Sequence, residues 1–524
     1  MSPKKSWCSP CPALAAILIA LAGGNAESAI TLPDLIADHM VVQRDREIPV
    51  WGTAAPGSEI IVEFAGQSVA AKAGAAGDWA VKLSPRPAGG PFEMRIRGDG
   101  ERTVKDILIG DVWLSSGQSN LTFRMVPNPP WSEGVLDYEK EIAAATNPKL
   151  RFFSVLVSAS HVPESEAFGT WAVSTPENVR FVSAVSYYFG RDVQERTGIP
   201  IGIIVSGRGG TSIKSWMDRA SLQRFPDTAE KIAAEDKKIA AAPDLIAAFR
   251  AKLPAYREAC RKALATNGKV PSFPEPYPNY DTKPSHLYHA MIAPLARVPV
   301  RGFLWYQGES DSQIADQYPE LFKALITSRR AEWNAPDAPF LFVQIANYDP
   351  VKARNLDPAR YGGTWARQRA AQATALALPN TAMAVSADVG DTIKVHPRDK
   401  KTVGNRLARA ALGLVYGEKI PFRGPRPESA SASGPSVKVG FSSDGGNLKP
   451  AAELTGFELA GPDGAFHEAT GTQEGNTVIL TAAGVSEPVR VRYAWKDDPR
   501  LSVYDEAGLP LPPFEQLVGS AAGR

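Results

Sequence analysis

The chain has 524 residues, more than one apolar core usually supports, so two or three domains are expected. Its apolar fraction of 44% is ordinary for a globular protein and excludes a largely disordered one. With 58 basic residues against 56 acidic ones, a formal charge of +2, it lacks the strongly basic balance of a nucleic-acid or anionic-membrane binder.

Residues 1–26 read as a secretory signal. Lys4 and Lys5 supply a charged start, residues 13–21 a short apolar core, and Gly24-Asn25-Ala26 a small-residue cleavage site. Cleavage would remove two lysines and no acid, leaving equal numbers of basic and acidic residues, and would remove Cys8 and Cys11. Cys260 would then stand alone, and a lone cysteine closes no internal disulfide. No other segment is apolar enough to span a bilayer, so a periplasmic or secreted protein, off the membrane after cleavage, is expected.

Residues 27–107 alternate apolar and polar positions in short runs such as Glu59-Ile60-Ile61-Val62-Glu63-Phe64, between Gly, Pro and Asp turns. That is the pattern of a β-sandwich. Over 108–416 apolar strands alternate with amphipathic helices: strands at 201–206, 302–306 and 340–345, helices at 184–197 and 402–412. This predicts an α/β domain with a buried parallel sheet. Within it, residues 218–284 read as an insertion, first helical and then Pro-rich and aromatic, serving either as surface decoration or as a rim of the substrate cleft. Residues 417–436, with Pro421, Pro425 and Pro427 and alternating Ser and Ala, read as a linker, and 437–524 as a C-terminal β domain.

Chemistry concentrates in four segments. In Asp111-Val112-Trp113-Leu114-Ser115-Ser116-Gly117-Gln118-Ser119-Asn120 a strand ends in a tight turn that presents Ser119 at its carboxyl end, where open α/β sheets place their ligands. The Gly-x-Ser-x-Gly elbow is excluded, because Leu121 stands where the second glycine would be. Ser206-Gly207-Arg208-Gly209-Gly210-Thr211 also follows a strand, and its glycines let backbone N–H groups approach a ligand. Trp305-Tyr306-Gln307-Gly308-Glu309-Ser310-Asp311 and Val395-His396-Pro397 complete the set. Ester hydrolysis needs an oxygen nucleophile, a base to take its proton and donors aimed at the oxyanion. Ser119 is the candidate nucleophile and His396, one of six histidines, the candidate base.

In these segments, spread over most of the chain, the sequence resembles the bacterial sialate O-acetylesterases, carbohydrate deacetylases of the SGNH (GDSL-like) hydrolase superfamily. The resemblance implies a three-layer SGNH-type α/β domain with a parallel sheet, flanked by N- and C-terminal β-sandwich-like segments. It implies removal of O-acetyl groups from a carbohydrate without a cofactor. It further implies oxyanion donation by the Ser119 N–H, by Gly210 with Gly209 shaping the turn, and by the Gln307 side-chain amide. Relatives often carry Trp at the place of Arg208, which here is the candidate partner for a substrate carboxylate.

The chain departs from that family where relatives place an aspartate two or three residues before the histidine, because Lys394 and Ile393 occupy those positions. Asp391, Asp388 or Glu309 must then orient His396, or the base works in a dyad or against a backbone carbonyl; Asp391, in the same loop, leads by a small margin over Glu309. His286 and His289 have the spacing of a metal pair but lack a convincing ligand set, so a place in the cleft wall is expected of them and no metal. Two rival readings are an acetylesterase for xylan or xyloglucan and a glycan-binding protein that has lost catalysis.

Overall fold

The computed structural model describes residues 30–266 and 268–519, so the signal reading of residues 1–26, with Cys8 and Cys11, lies outside the described residues. Six short strands come first: β1 (Val41–Gln43), β2 (Ile48–Thr53), β3 (Glu59–Phe64), β4 (Gln67–Lys72), β5 (Asp78–Leu83) and β6 (Gly89–Gly98). Their alternation places Ile60, Val62, Phe64, Met94 and Ile96 in a core shared with Ile48, Val50, Val81 and Leu83 of the β2–β5 pair. The next strand, β7 (Gly100–Gly117), is 18 residues long. Its first half pairs antiparallel with β6 and its second half enters a different, parallel neighbourhood. The boundary expected at residue 107 therefore falls inside one continuous strand.

The remaining strands of the central sheet are β8 (Asn147–Val155), β9 (Gly169–Ser174), β10 (Ile201–Gly207), β11 (Gly302–Tyr306), β12 (Phe340–Val343) and β13 (Thr381–Ala384). Across the sheet they run β13-β12-β11-β7-β10-β8-β9, and all pairs are parallel except β8 with β9. Every residue of β10 and β11 is buried, as a strand covered on both faces requires. Alternate side chains serve opposite faces: Trp113, Ile203, Leu304 and Tyr306 pack with helices Ala184–Thr197 and Lys400–Leu414, while Leu114, Ile204, Phe303 and Trp305 pack toward helix Tyr318–Glu332. Helix Ala184–Thr197 starts where the Ser183 hydroxyl accepts from the Ser186 N–H and stops at Gly198, φ 70°.

The expected insertion contains helices Arg219–Leu222, Pro226–Ala240 and Pro243–Ala265, followed by an irregular stretch. The expected linker is corrected: its second half is a strand, β14 (Arg426–Ser433). There the Ser/Ala alternation is strand periodicity, with Ala430 only 2% exposed and its serine neighbours facing solvent. With β15 (Ser436–Ser442), β16 (Phe457–Ala460), β17 (Phe466–Glu474), β18 (Thr477–Ala482), β19 (Arg490–Tyr493) and β20 (Phe514–Leu517) it forms an antiparallel seven-stranded sheet with its own core.

Polar contacts tie this sheet to the central one. The Asp497 carboxylate accepts from the N–H groups of Gly363, Trp365 and Ala366, where helix Thr364–Ala373 begins. The fully buried Arg369 guanidinium donates to the carbonyls of Lys496 and Asp497. Asp497→Ala would leave three N–H groups without their acceptor, and about 1–3 kcal/mol of stability should be lost, read as a lower unfolding midpoint. Asp497→Asn keeps one acceptor oxygen and should lose less.

Candidate active site

Strand order places three segments together. β7 is flanked by β10 and β11, so the loops after all three strands open at the same edge of the sheet, where the chain order switches direction. After β7, the Gln118 N–H donates to the Tyr306 carbonyl, and the N–H groups of Leu121 and Thr122 donate back to the Gln118 carbonyl. Ser119 is lifted to the crest of this turn. Across from it, a Cβ on Gly209 would come within 3.3 Å of Ser119 Cβ, a closeness that glycine tolerates, and Gly210 adopts φ +73°. The backbone N–H groups of Ser119, Gly209 and Gly210 donate to no protein acceptor among the described residues. They are free for a ligand anion.

The loop after β13 brings in His396, whose Nε2 lies 2.8 Å from Ser119 Oγ. Besides Ser119, the imidazole meets the Trp131 backbone, whose carbonyl favours a ring N–H turned toward it. With Nδ1–H donating to that carbonyl, Nε2 is the unprotonated acceptor for the serine hydroxyl. Burial, reinforced by the charge of Lys400, holds the His396 pKa below the ordinary histidine value.

The carboxylates named as candidate orienting acids are elsewhere. Asp391 Oδ1 accepts from the N–H groups of Ile393 and Lys394, at 2.8 and 2.9 Å, closing its own turn, so that expectation is corrected. Asp388 forms a two-pronged ion pair with Arg406. Glu309 is buried and accepts from Asn120 Nδ2 at 2.5 Å, with no hydrogen bond to the imidazole among the described residues. Gln307 is also corrected as an oxyanion donor. Its amide N–H groups face the Asp311 carboxylate at 2.7 Å, the Thr211 carbonyl at 3.1 Å and Gln118 Oε1 at 3.2 Å, so it braces the loops from behind. Arg208 reaches the cleft while its Nε donates to buried Asp281 at 2.5 Å. The insertion thus meets the site through Asp281. His286 and His289 are buried away from the cleft, facing the carbonyls of Tyr280 and Ser160, and burial brings their pKa values down to about 3 and about 4.

Sequence reasoning passed over four groups. The Trp131 carbonyl carries no residue-type signal. Asn120 stood inside the quoted motif without a role, and its side chain joins Glu309 Oε1, the Val395 carbonyl and Lys400 Nζ. Lys400 is fully buried at the start of an amphipathic helix, where lysine reads as solvent-facing. Arg124 lines the cleft over the Phe181 ring at 5.9 Å and pairs with no carboxylate among the described residues.

The cleft above Ser119 and His396 encloses about 770 Å³ and carries Trp131, Tyr348, Tyr361 and Trp365 in its walls. Trp131 is 72% exposed. A cleft of this size with aromatic faces admits sugar rings.

A family model described as carbohydrate esterase, sialic acid-specific acetylesterase, matches residues 277–413, which include Glu309 and His396. A carbohydrate acetylesterase from Xanthomonas citri, known from its crystal structure, is 35% identical with a TM-score of 0.77, over 93% of this chain and 99% of that one. The sialate O-acetylesterase of Rattus norvegicus is 28% identical over 557 residues, 96% of this chain and 97% of the relative. That of Homo sapiens is 29% identical over 447 residues, 78% and 76% of the two chains.

Two outcomes follow from the geometry. Because the His396 pKa is lowered, the imidazole stays neutral below the usual value, and the acid limb of kcat/KM should lie below about pH 6.5 in a pH–rate profile. Asp391→Asn keeps the turn's acceptor oxygen and should leave kcat within about threefold of wild type, not the 10⁴-fold loss of a removed triad acid.

Proposed function

This chain belongs to the sialic acid-specific acetylesterase family of carbohydrate esterases and is a carboxylic ester hydrolase that removes O-acetyl groups from carbohydrate; we propose that it does so through an acetyl-enzyme on Ser119. The observation that carries this reading is the 2.8 Å approach of Ser119 Oγ to His396 Nε2 beneath the cleft. Ser119 Oγ attacks the acetyl carbonyl carbon as its proton passes to His396 Nε2. The oxyanion forms against the N–H groups of Ser119, Gly209 and Gly210, each donor contributing about 2.7–4 kcal/mol to the transition state. Collapse breaks the bond to the sugar oxygen, which leaves with the proton from His396. Water then attacks the acetyl-enzyme, His396 takes its proton and returns it to Oγ, and acetate departs.

Within this reading the substrate is an O-acetylated sialic acid. Its carboxylate needs a cation, and the cleft offers Arg124, Arg208 and Arg354. Arg208 already holds Asp281, whereas Arg124 is half-buried without a carboxylate partner among the described residues, which favours Arg124 as the receiving group. The parallel sheet covered on both faces, with its serine after the central strand, supports the three-layer SGNH-type arrangement. The strand groups before and after it support the expected division into flanking β domains, and the composition of residues 1–26 supports export to the periplasm or medium.

Ser119→Ala should abolish p-nitrophenol release from p-nitrophenyl acetate without lowering the unfolding midpoint; retained turnover would overturn the acetyl-enzyme. Acetate release from O-acetylated sialic acid should exceed that from acetylated xyloglucan, and Arg124→Met should raise KM for the sialic acid by roughly tenfold or more while sparing p-nitrophenyl acetate. Strong preference for the polysaccharide would contradict the sialate reading and leave the esterase intact.

A further inference from the structure

We propose that Lys400 is a positioning residue which, acting through Asn120 and against Glu309, fixes the spacing between the turn that carries Ser119 and the loop that carries His396. This rests on the reading of Ser119 and His396 as the reacting pair. Lys400 opens helix Lys400–Leu414 and is fully buried, its Nζ donating to Asn120 Oδ1 at 2.6 Å. The ammonium also lies over the rings of Phe123 and Tyr306, 4.7 and 5.4 Å from their centroids. The Asn120 amide nitrogen donates in two directions, to Glu309 Oε1 at 2.5 Å and to the Val395 carbonyl at 3.0 Å.

Connectivity gives this network its consequence. Asn120 directly follows Ser119 and Val395 directly precedes His396, so one amide clamps the chain beside both reacting groups. The Asn120 amide is fully used, with one acceptance and two donations. It cannot turn without leaving a buried ammonium or a buried carboxylate unpartnered. Among the described residues Glu309 Oε2 has no hydrogen-bond partner, so Asn120, the residue's own backbone N–H and the charge of Lys400 are what hold this carboxylate. Buried ion pairs add little stability over apolar residues of similar size, so a pair placed around Asn120 is poorly explained by packing.

The same charge reaches the base. The groups facing Lys400 are Glu309, from the loop after β11, and Asp399, from its own helix start; those facing His396 are Lys400 and Arg354. Burial brings the Lys400 pKa down to about 7, so the ammonium is charged through the acid limb of the pH–rate profile, where it disfavours protonation of His396. Removing it should let His396 protonate at higher pH.

The test is Lys400→Met in the full chain, with p-nitrophenyl acetate as substrate across pH. The expected result is a kcat lower by on the order of 10²-fold, the scale of a misplacement near the chemistry, with KM little changed and the acid limb of kcat/KM moved to higher pH. If Lys400→Met does not fold, the double variant Lys400→Met/Glu309→Gln, which removes both buried charges, carries the same two expectations. Near-native kcat in the folded variant would overturn the proposal. A lower kcat with an unmoved acid limb would overturn it too, because a purely structural role gives that result. Activity surviving in Ser119→Ala would instead remove the reading beneath it.

Discussion

Parallel pairing of β7 with β10 on one side and β11 on the other is the constraint from which the site follows. It sends three loops out of one edge of the sheet and sets Gly209 against Ser119. The serine needs no strained elbow, because Gln118 closes the turn with its own N–H and carbonyl. Its partner His396, the proposed base, comes from 277 residues further along, and its position depends on what joins the loop after β13 back to that turn. Asn120 makes that join through the Val395 carbonyl.

The base is oriented without a carboxylate among the described residues. In a Ser-His-Asp triad the acid fixes the tautomer and stabilises the imidazolium. Here the partner available for the first of these is a backbone carbonyl, that of Trp131. It brings only a dipole to the second, and the nearby charges of Lys400 and Arg354 oppose imidazolium formation. In the proposed mechanism a base poised this way stays neutral in mildly acidic conditions, and the proposed oxyanion donors carry more of the transition-state stabilisation. Trp131 links this to substrate binding, since its carbonyl holds the base while its exposed indole faces the cleft.

Much of the fold was legible in the sequence because it rests on periodicity. The 184–197 helix was bounded by an N-cap serine and a glycine stop, and β10 and β11 by unbroken apolar runs. β14 was missed because prolines precede it, Pro427 lies within it and its later side chains are small, so that its alternation read as low complexity. At the site, Ser119 and the glycines were singled out from the turns that follow strands and His396 from its resemblance to the family's motif, and the fold brings Ser119 and His396 together. The orienting group was not, because a main-chain carbonyl leaves no mark in residue type. Gln307 and Asp391 misled for the same reason: each side chain has the right chemistry, and only tertiary structure shows its hydrogen bonds already committed to Asp311 and Thr211 or to the turn at 391–394.

The proposed mechanism requires that His396 present an unprotonated Nε2 to Ser119 while Nδ1–H is held by a carbonyl. Nitrogen-15 NMR of the histidine side chains of the full chain, with His396 assigned by its loss in His396→Gln, reads that state directly. The expected result is the Nδ1–H tautomer above neutral pH and a titration midpoint below about 6.5. An Nε2–H tautomer, or a midpoint raised well above that value as a neighbouring carboxylate would raise it, would rule out a carbonyl-held base.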